Sequence, residues 1–299
     1  MSENKRLVLI DAYSQIYRGF HALPRLTNDR EEPTSALLSF ARFLLFVDEE
    51  FDGAYGAVVF DKGPPAERLE ILPSYKATRP PMPEDLEVQL PRIRQWIEAA
   101  GWPVLEKEGV EADDLLAAAA EANPDMEVHL ISADKDVAQV LTLRNTTQWM
   151  PGKKAKLDRV GPHEVEDKFG VPPHLIPDYL ALLGDASDNI PGVPGVGKKT
   201  AVKLIKEHGS VENILADLQQ VKNDRIRQSL ADSAEDLVRN KRLVTLSAEL
   251  PTDCAHRQYL RRRTPDWKKL LELARDNNLK SICTAIEKKL HAERNPTLF

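Results

Sequence analysis

Nine carboxylates stand out in this 299-residue sequence by where they fall: Asp11; Asp61; Glu111, Asp113 and Asp114; Asp134 and Asp136; Asp185 and Asp188. Taken singly, each group has an ordinary explanation, since acidic residues cap helix starts and Asp is a favoured turn residue. Their joint placement is less ordinary. Glu111 and Asp114 are three positions apart and share one face of a helix whose start carries Asp113. Oxygen ligands of this kind suit magnesium, which takes octahedral coordination and keeps several waters. Two such ions about 4 Å apart activate a water and stabilise the departing oxygen of a phosphodiester. So many converging carboxylates repel one another strongly unless cations accompany them. Divalent ions are the expected partners. The residues alone point to metal-dependent phosphoryl transfer or hydrolysis.

Three short apolar runs deliver acids to one place. Leu7 to Ile10 ends in Asp11, Ala54 to Phe60 ends in Asp61, and Met126 to Ile131 is followed by Ser132, Ala133 and Asp134. Each reads as a buried parallel strand. Helical periodicity lies between them, over Thr34 to Phe46, Glu84 to Ala100 and Ala112 to Ala122. Strands alternating with helices imply an α/β fold with a mostly parallel sheet, whose ligands gather at the carboxyl ends of the strands. From about Gly161 the texture turns helical without a convincing strand. Helices are expected at Tyr179–Leu183, Ala201–His208, Ala234 to Leu246 and Asp266 to Leu290.

The expected organisation is therefore an α/β core over residues 1–160 and a helical C-terminal region over 161–299. Composition agrees with a globular enzyme, at 42% hydrophobic and 29% charged residues. No apolar run approaches the ~20 residues of a membrane span, and the short polar start argues against a secretory signal. Two cysteines, Cys254 and Cys283, lack metal-ligand spacing, which effectively rules out zinc and fits a reducing cytoplasm. The net charge of −6 conceals a surplus of +5 after residue 250, and setting the nine carboxylates aside brings the remainder close to neutral. Charge neither excludes nor favours a polyanionic partner.

Gly192, Gly195 and Gly197, interleaved with Pro191 and Pro194, precede Lys198 and Lys199. A phosphate-binding P-loop is excluded, because Lys199 stands where Ser or Thr is required and no apolar strand precedes the turn. A helix-hairpin-helix fits better: glycines admit a phosphate close to backbone N–H groups, and Lys198, Lys199, Lys203 and Lys206 add charge. Upstream, Lys76 and Arg79 are placed to neutralise a phosphate and Tyr75 to stack on a base. Arg257 and Arg261 to Arg263 read as a solvated basic face that can also touch backbone phosphates.

These segments together resemble the 5′-nuclease (flap endonuclease) family, which includes the nuclease domain of bacterial DNA polymerase I and the phage 5′-exonucleases. The matching stretches are Leu9 to Ala12, Tyr17 to Ala22, Val59 to Asp61, Tyr75 to Pro80, Glu111 to Asp114, Ser132 to Asp136 and the long run Gly184 to Ala201. They occur in family order over roughly residues 7 to 210. Beyond about residue 250 little is recognisable. The resemblance implies a PIN-like core with a helical arch at about 62–95 and a helix-hairpin-helix at about 185–210. It implies a first metal group of Asp11, Asp61, Glu111, Asp113, Asp114 and Asp134, and a second of Asp136, Asp185 and Asp188. Lys76 and Arg79 match the basic pair of the arch and, with Asp134, are the implied catalytic residues. Tyr75 matches an arch aromatic that stacks near the scissile nucleotide, and Tyr17 and Arg18 match residues beside the 5′ strand. The hairpin matches a duplex-binding module that also holds K⁺. The implied cofactor is Mg²⁺, two ions, with Mn²⁺ as a substitute. The implied partners are DNA with 5′ ends or flaps, and RNA–DNA hybrids. The implied form is a free-standing cytoplasmic monomer.

Two positions depart from the family pattern: Ala12 stands where Gly is usual, and Glu67 replaces an apolar or aromatic residue before Arg68. Neither removes a carboxylate; both concern placement of the 5′ strand. The expected activity is structure-selective 5′-3′ exonuclease and 5′-flap endonuclease action leaving a 5′-phosphate. The rivals are a PIN-type ribonuclease and a catalytically silent DNA-structure-binding protein.

Overall fold

The computed structural model describes residues 5–152, 156–247 and 255–294. In chain order the elements are β1 (Arg6–Asp11), α1 (Ala12–Ala22), α2 (Ser35–Glu50), β2 (Tyr55–Val59), α3 (Ala66–Ile71), α4 (Glu84–Glu87), α5 (Leu90–Ala99) and β3 (Val104–Leu105). Then come α6 (Ala112–Glu121), β4 (Glu127–Ile131), β5 (Thr146–Pro151), β6 (Leu157–Val160), α7 (Pro162–Phe169), α8 (Ile176–Leu183) and α9 (Lys198–His208). The chain ends with α10 (Val211–Ala216), α11 (Asp224–Asp232), α12 (Ala234–Val244), α13 (Trp267–Asp276) and α14 (Lys280–Arg294). These elements form two compact units, one of residues 1–60, 81–105 and 253–299, the other of residues 61–80 and 106–252.

In the first unit, β1 and β2 run parallel with Leu9 opposite Ala57, and β3 pairs parallel with the far edge of β2. Leu7, Val8, Leu9 and Ile10 are all fully buried, which explains the unbroken apolar run: a strand covered on both faces has no polar side. Burial of each such side chain stabilises by about 1.5–3 kcal/mol. The helices α1 and α2 pack on each other, and α13 and α14 pack as a pair against α5 and α2. Arg262 is not part of a solvated face. It ion-pairs with Asp48, stacks 4.0 Å over the Trp102 ring and donates to Gly53 O, while the neighbouring backbone bridges to Tyr55. That segment straps the C-terminal helices to the unit. Arg261 and Arg263 remain exposed.

In the second unit, β4 and β5 are parallel and β6 adds antiparallel to β5. An apolar core runs beneath the helices, with Val165, Ile176, Ala181, Leu182, Ala201, Val211, Ile214, Leu230 and Leu237 fully buried.

The mostly parallel sheet with a helical C-terminal half is as expected. Two long helices are each divided. Glu84 to Ala100 breaks into α4 and α5 around Val88–Gln89, where the Gln89 amide leaves its own helix to cap α2 by accepting the Ala36 and Leu37 N–H groups. Asp266 to Leu290 breaks into α13 and α14 at Asn278, whose φ of 56° is left-handed. The short strands β3, β5 and β6 carry too little alternation to read in sequence. Cys254 lies outside the described residues, and Cys283 is half-buried.

Candidate metal centre

Eight of the nine carboxylates belong to the second unit, and local structure sets each one. Glu111 is the N-cap of α6, with Asp113 and Asp114 in its first turn. Carboxylate oxygens of Glu111, Asp113 and Asp114 lie within 4.8 Å of one another. Asp61 joins them by accepting the Ala112 N–H at 3.0 Å. Asp134 follows β4 in a turn held by Ser132 Oγ, and itself accepts the Asp136 N–H. Asp185 caps a single 3-10 turn over Ala186–Asp188 by accepting the Ser187 N–H. That turn is set by a close crossing of backbones. A Cβ on Gly184 would collide with Gly192 N, and one on Gly192 with Leu183 O, so both positions need glycine.

The protein's own cations accompany these acids, which corrects the expectation that only divalent ions could. Arg68, whose side chain is 9% exposed, donates to Glu111 Oε2 at 2.5 Å and to both oxygens of Asp114 at 2.5 and 3.0 Å. Lys76 pairs with the other Glu111 oxygen. Arg79 meets Asp188 Oδ1 at 2.5 Å, and Lys135 meets Asp185 Oδ2 at 2.5 Å. Arg68 also donates to Leu243 O, and Asp114 Oδ1 accepts the Ser247 N–H, which ties α12 to the cluster. Burial works against the charge on Arg68, but the hydrogen bond to Asp114 and the charges of Asp113, Asp114 and Glu111 outweigh it and leave its pKa raised.

Tyr75 departs from its implied role. It is 6% exposed, its ring lies in the apolar core, and its hydroxyl sits 3.2 Å from both Glu111 Oε2 and Asp188 Oδ2. A ring so placed links carboxylates and offers no face to a base. Burial, then the charges of Glu111 and Asp188, raises its pKa. The turn it belongs to is stapled to the Asp188 turn by Lys76 N–H to Asp188 O at 3.0 Å and by Asn189 Nδ2 to Ser74 O at 2.9 Å. Lys76 itself has a left-handed backbone, φ 56°, uncommon outside glycine.

Even so, the carboxylates are under-compensated. Burial, then the charge of Asp114, pushes Asp113 well above the usual carboxylate range, with Glu111 and Asp134 adding to it against Arg68. Burial also raises Asp61. Asp136 is pushed up to about 8 by burial and then by Asp134, and its Oδ1 is buried with no hydrogen-bond partner. An orphaned carboxyl oxygen near the acids Asp134, Asp185 and Asp188 fits a hard divalent cation. Glu111, Asp113 and Asp114, whose oxygens converge, are a further set of oxygen donors that could hold one.

Asp11 lies in the first unit, at the C-terminal end of β1, where Oδ1 accepts the Ser14 N–H and caps α1. Tyr17 and Arg18 follow on α1, Tyr17 half-buried against His21 and Arg18 exposed. The glycine turn between α8 and α9 presents Gly197 as the N-cap of α9, with Lys198 and Lys199 exposed on its first turn. Gly195 has a φ of 80°. Sequence reasoning passed over Arg68, Lys135 and Ser187 as partners of the acids. Only the charge inside the Ser132 to Asp136 motif and beside Glu67 hinted at the first two.

A family model described as the 5′-3′ exonuclease N-terminal resolvase-like domain matches residues 6–170, and one for the 5′-3′ exonuclease C-terminal SAM fold matches residues 171–268. A 5′-3′ exonuclease of Aquifex aeolicus is 37% identical over 297 residues, which is 99% of this chain and 100% of that one. The thermostable DNA polymerase I of Thermus filiformis is 41% identical over 264 residues, 88% of this chain but 31% of the polymerase. The chain thus spans about a third of that polymerase and the full length of the Aquifex protein. Among solved structures, T5 5′-exonuclease with bound divalent metal ions (zinc) superposes with a TM-score of 0.66 at 23% identity, covering 95% of this chain and 98% of that one. The catalytic core of Rad2 in complex with DNA substrate gives a TM-score of 0.60 at 17% identity, covering 95% and 93%. These last two establish a shared fold. No described helix is long and apolar enough to cross a membrane. With both family models and a full-length relative in agreement, the chain belongs to the 5′-3′ exonuclease family.

Proposed function

We propose that this protein is a divalent-metal-dependent, structure-selective 5′-nuclease that hydrolyses DNA phosphodiester bonds at 5′ ends and 5′ flaps and leaves a 5′-phosphate. The observation that carries the reading is the convergence of Glu111, Asp113 and Asp114 within 4.8 Å. Asp11, Asp61, Glu111, Asp113, Asp114 and Asp134 form the first metal group in this reading, and Asp136, Asp185 and Asp188 the second. Two bound Mg²⁺ ions, or Mn²⁺ in their place, would supply water activation and stabilise the departing 3′-oxygen. The chain's own residues do the rest. Lys76 and Arg79, now paired with Glu111 and Asp188, exchange those partners for the scissile phosphate and offset charge on its oxygens. Tyr75 holds Glu111 and Asp188 in register through its hydroxyl.

Duplex DNA is held without sequence preference by the N–H groups of the turn at Gly192, Gly195 and Gly197 and by Lys198 and Lys199, with K⁺ as a structural ion there. Tyr17 and Arg18 meet the 5′ strand. The division of labour is a nuclease core over residues 1–160, an arch at about 62–95, and a duplex-binding helical region over 161–299, working as a cytoplasmic monomer. The test is a comparison of 5′-labelled flap DNA with single-stranded RNA, each in Mg²⁺ and in EDTA. Short labelled products from the flap in Mg²⁺ alone support the reading. Preferential cutting of RNA, or flap binding without cutting, contradicts it.

A further inference from the structure

Lys135 stands between Asp134 and Asp136 in the chain, and the proposed reaction gives it no task. Its Nζ donates to Asp185 Oδ2 at 2.5 Å, and the side chain is 39% exposed. The carboxylate it holds is otherwise occupied: Asp185 Oδ1 accepts the Ser187 N–H at 2.8 Å and the Ser187 hydroxyl at 2.6 Å. Oδ2 is therefore the oxygen that faces other elements, and Lys135 caps it. On the other side, Asp136 Oδ1 is buried and has no partner. One oxygen of the group is held by the protein's own cation, and another has no hydrogen-bond partner in the protein. A divalent ion shared by Asp136 and Asp185 must work against an ammonium already seated on Asp185, because two like charges this close repel.

We infer that Lys135 is a positioning residue for the second carboxylate group: it is a resident counter-ion that holds Asp185 near Asp134 and Asp136 while the second divalent ion is absent, and it sets the threshold at which that ion loads. The inference rests on the reading of Asp136 and Asp185 as metal ligands. A phosphodiester adds negative charge and gives the ammonium another anion to approach, so loading of the second ion follows arrival of DNA. Arg68 differs from it, being deeply buried and bonded to a backbone carbonyl as well as to two acids. Lys135 is partly exposed and anchored to one carboxylate by a flexible stem, so it can leave.

The test uses the full chain with Mn²⁺ as the probe, titrated by calorimetry without DNA, alongside melting in EDTA. The variants are K135M, K135R and D185N. K135M is expected to tighten the weaker Mn²⁺ site by roughly tenfold, since a neighbouring positive charge is removed, and to melt lower in EDTA. K135R is expected to keep both wild-type values. D185N is expected to weaken that same site. A lysine with a merely structural role would lower the melting temperature and leave Mn²⁺ affinity within twofold of wild type, and that result overturns the inference alone. Wild-type protein that takes up no Mn²⁺ overturns the metal reading itself.

Discussion

Arg68 is the charge on which the metal-free site depends, and replacing it with methionine measures that dependence. The guanidinium is 9% exposed and faces Glu111 and Asp114, whose side chains are 5% and 7% exposed. Arg68→Met keeps the length and apolar stem but leaves two buried carboxylates short of a partner, with Lys76 still on Glu111 and the Ser247 N–H still on Asp114. Breaking a buried ion pair from one side costs about 3–5 kcal/mol. For a cooperative unit of this size each kcal/mol lowers the melting temperature by about 2–4 °C, so the expected loss is roughly 6–20 °C in EDTA. Calorimetric melting of wild type and variant at one pH reads it directly. A second substitution, Asp114→Asn, is expected to restore part of the loss, because it removes one of the two stranded charges. An Arg68→Met melt within about 2 °C of wild type, below the loss that 1 kcal/mol implies, refutes the claim that this arginine compensates the acids.

Three further outcomes follow from the same geometry. Burial and then Asp134 push Asp136 up to about 8 from an ordinary 3.8, so its contribution to stability is fully present below about pH 4 and is lost as pH rises toward 8. Asp136→Asn does not titrate, so in EDTA its stability relative to wild type should grow between pH 5 and 8, by up to about 1.4 kcal/mol for each pH unit; a gap that stays flat or narrows contradicts the assignment. Lys198→Gln with Lys199→Gln should weaken duplex binding and lower the salt dependence of log affinity by up to about 2, near 0.9 for each phosphate no longer neutralised; an unchanged slope removes these lysines from the interface. Asp134→Asn should reduce flap cleavage at least tenfold at limiting Mg²⁺ with partial recovery at high Mg²⁺, and activity within a few fold of wild type under both conditions argues against Asp134 as a ligand.

The acids at the ends of apolar runs were legible because strand burial and a terminal carboxylate are both local patterns: Ile10 before Asp11, Phe60 before Asp61, and Ile131 shortly before Asp134. The glycine turn was legible for the same reason, since Gly184 and Gly192 are needed for a crossing that lies within one stretch of chain. The cations were not. Arg68 reaches acids 43 and 46 positions away, Lys135 one 50 positions away, and Arg262 one 214 positions away, and pairing over such separations leaves no periodicity. Tyr75 misled for a related reason. Its motif suggests an exposed aromatic, whereas a hydroxyl shared by two carboxylates lets the ring sink into the core. Helix ends were lost where a side chain serves another element, as Gln89 does in capping α2.

The most direct measurement is anomalous diffraction from crystals of the full chain soaked in Mn²⁺. Two peaks are expected about 4 Å apart, one against Glu111 and Asp113 and the other against Asp136 and Asp185. Saturating Mn²⁺ with no peak on any of those four side chains would mean that the acids serve only their arginine and lysine partners.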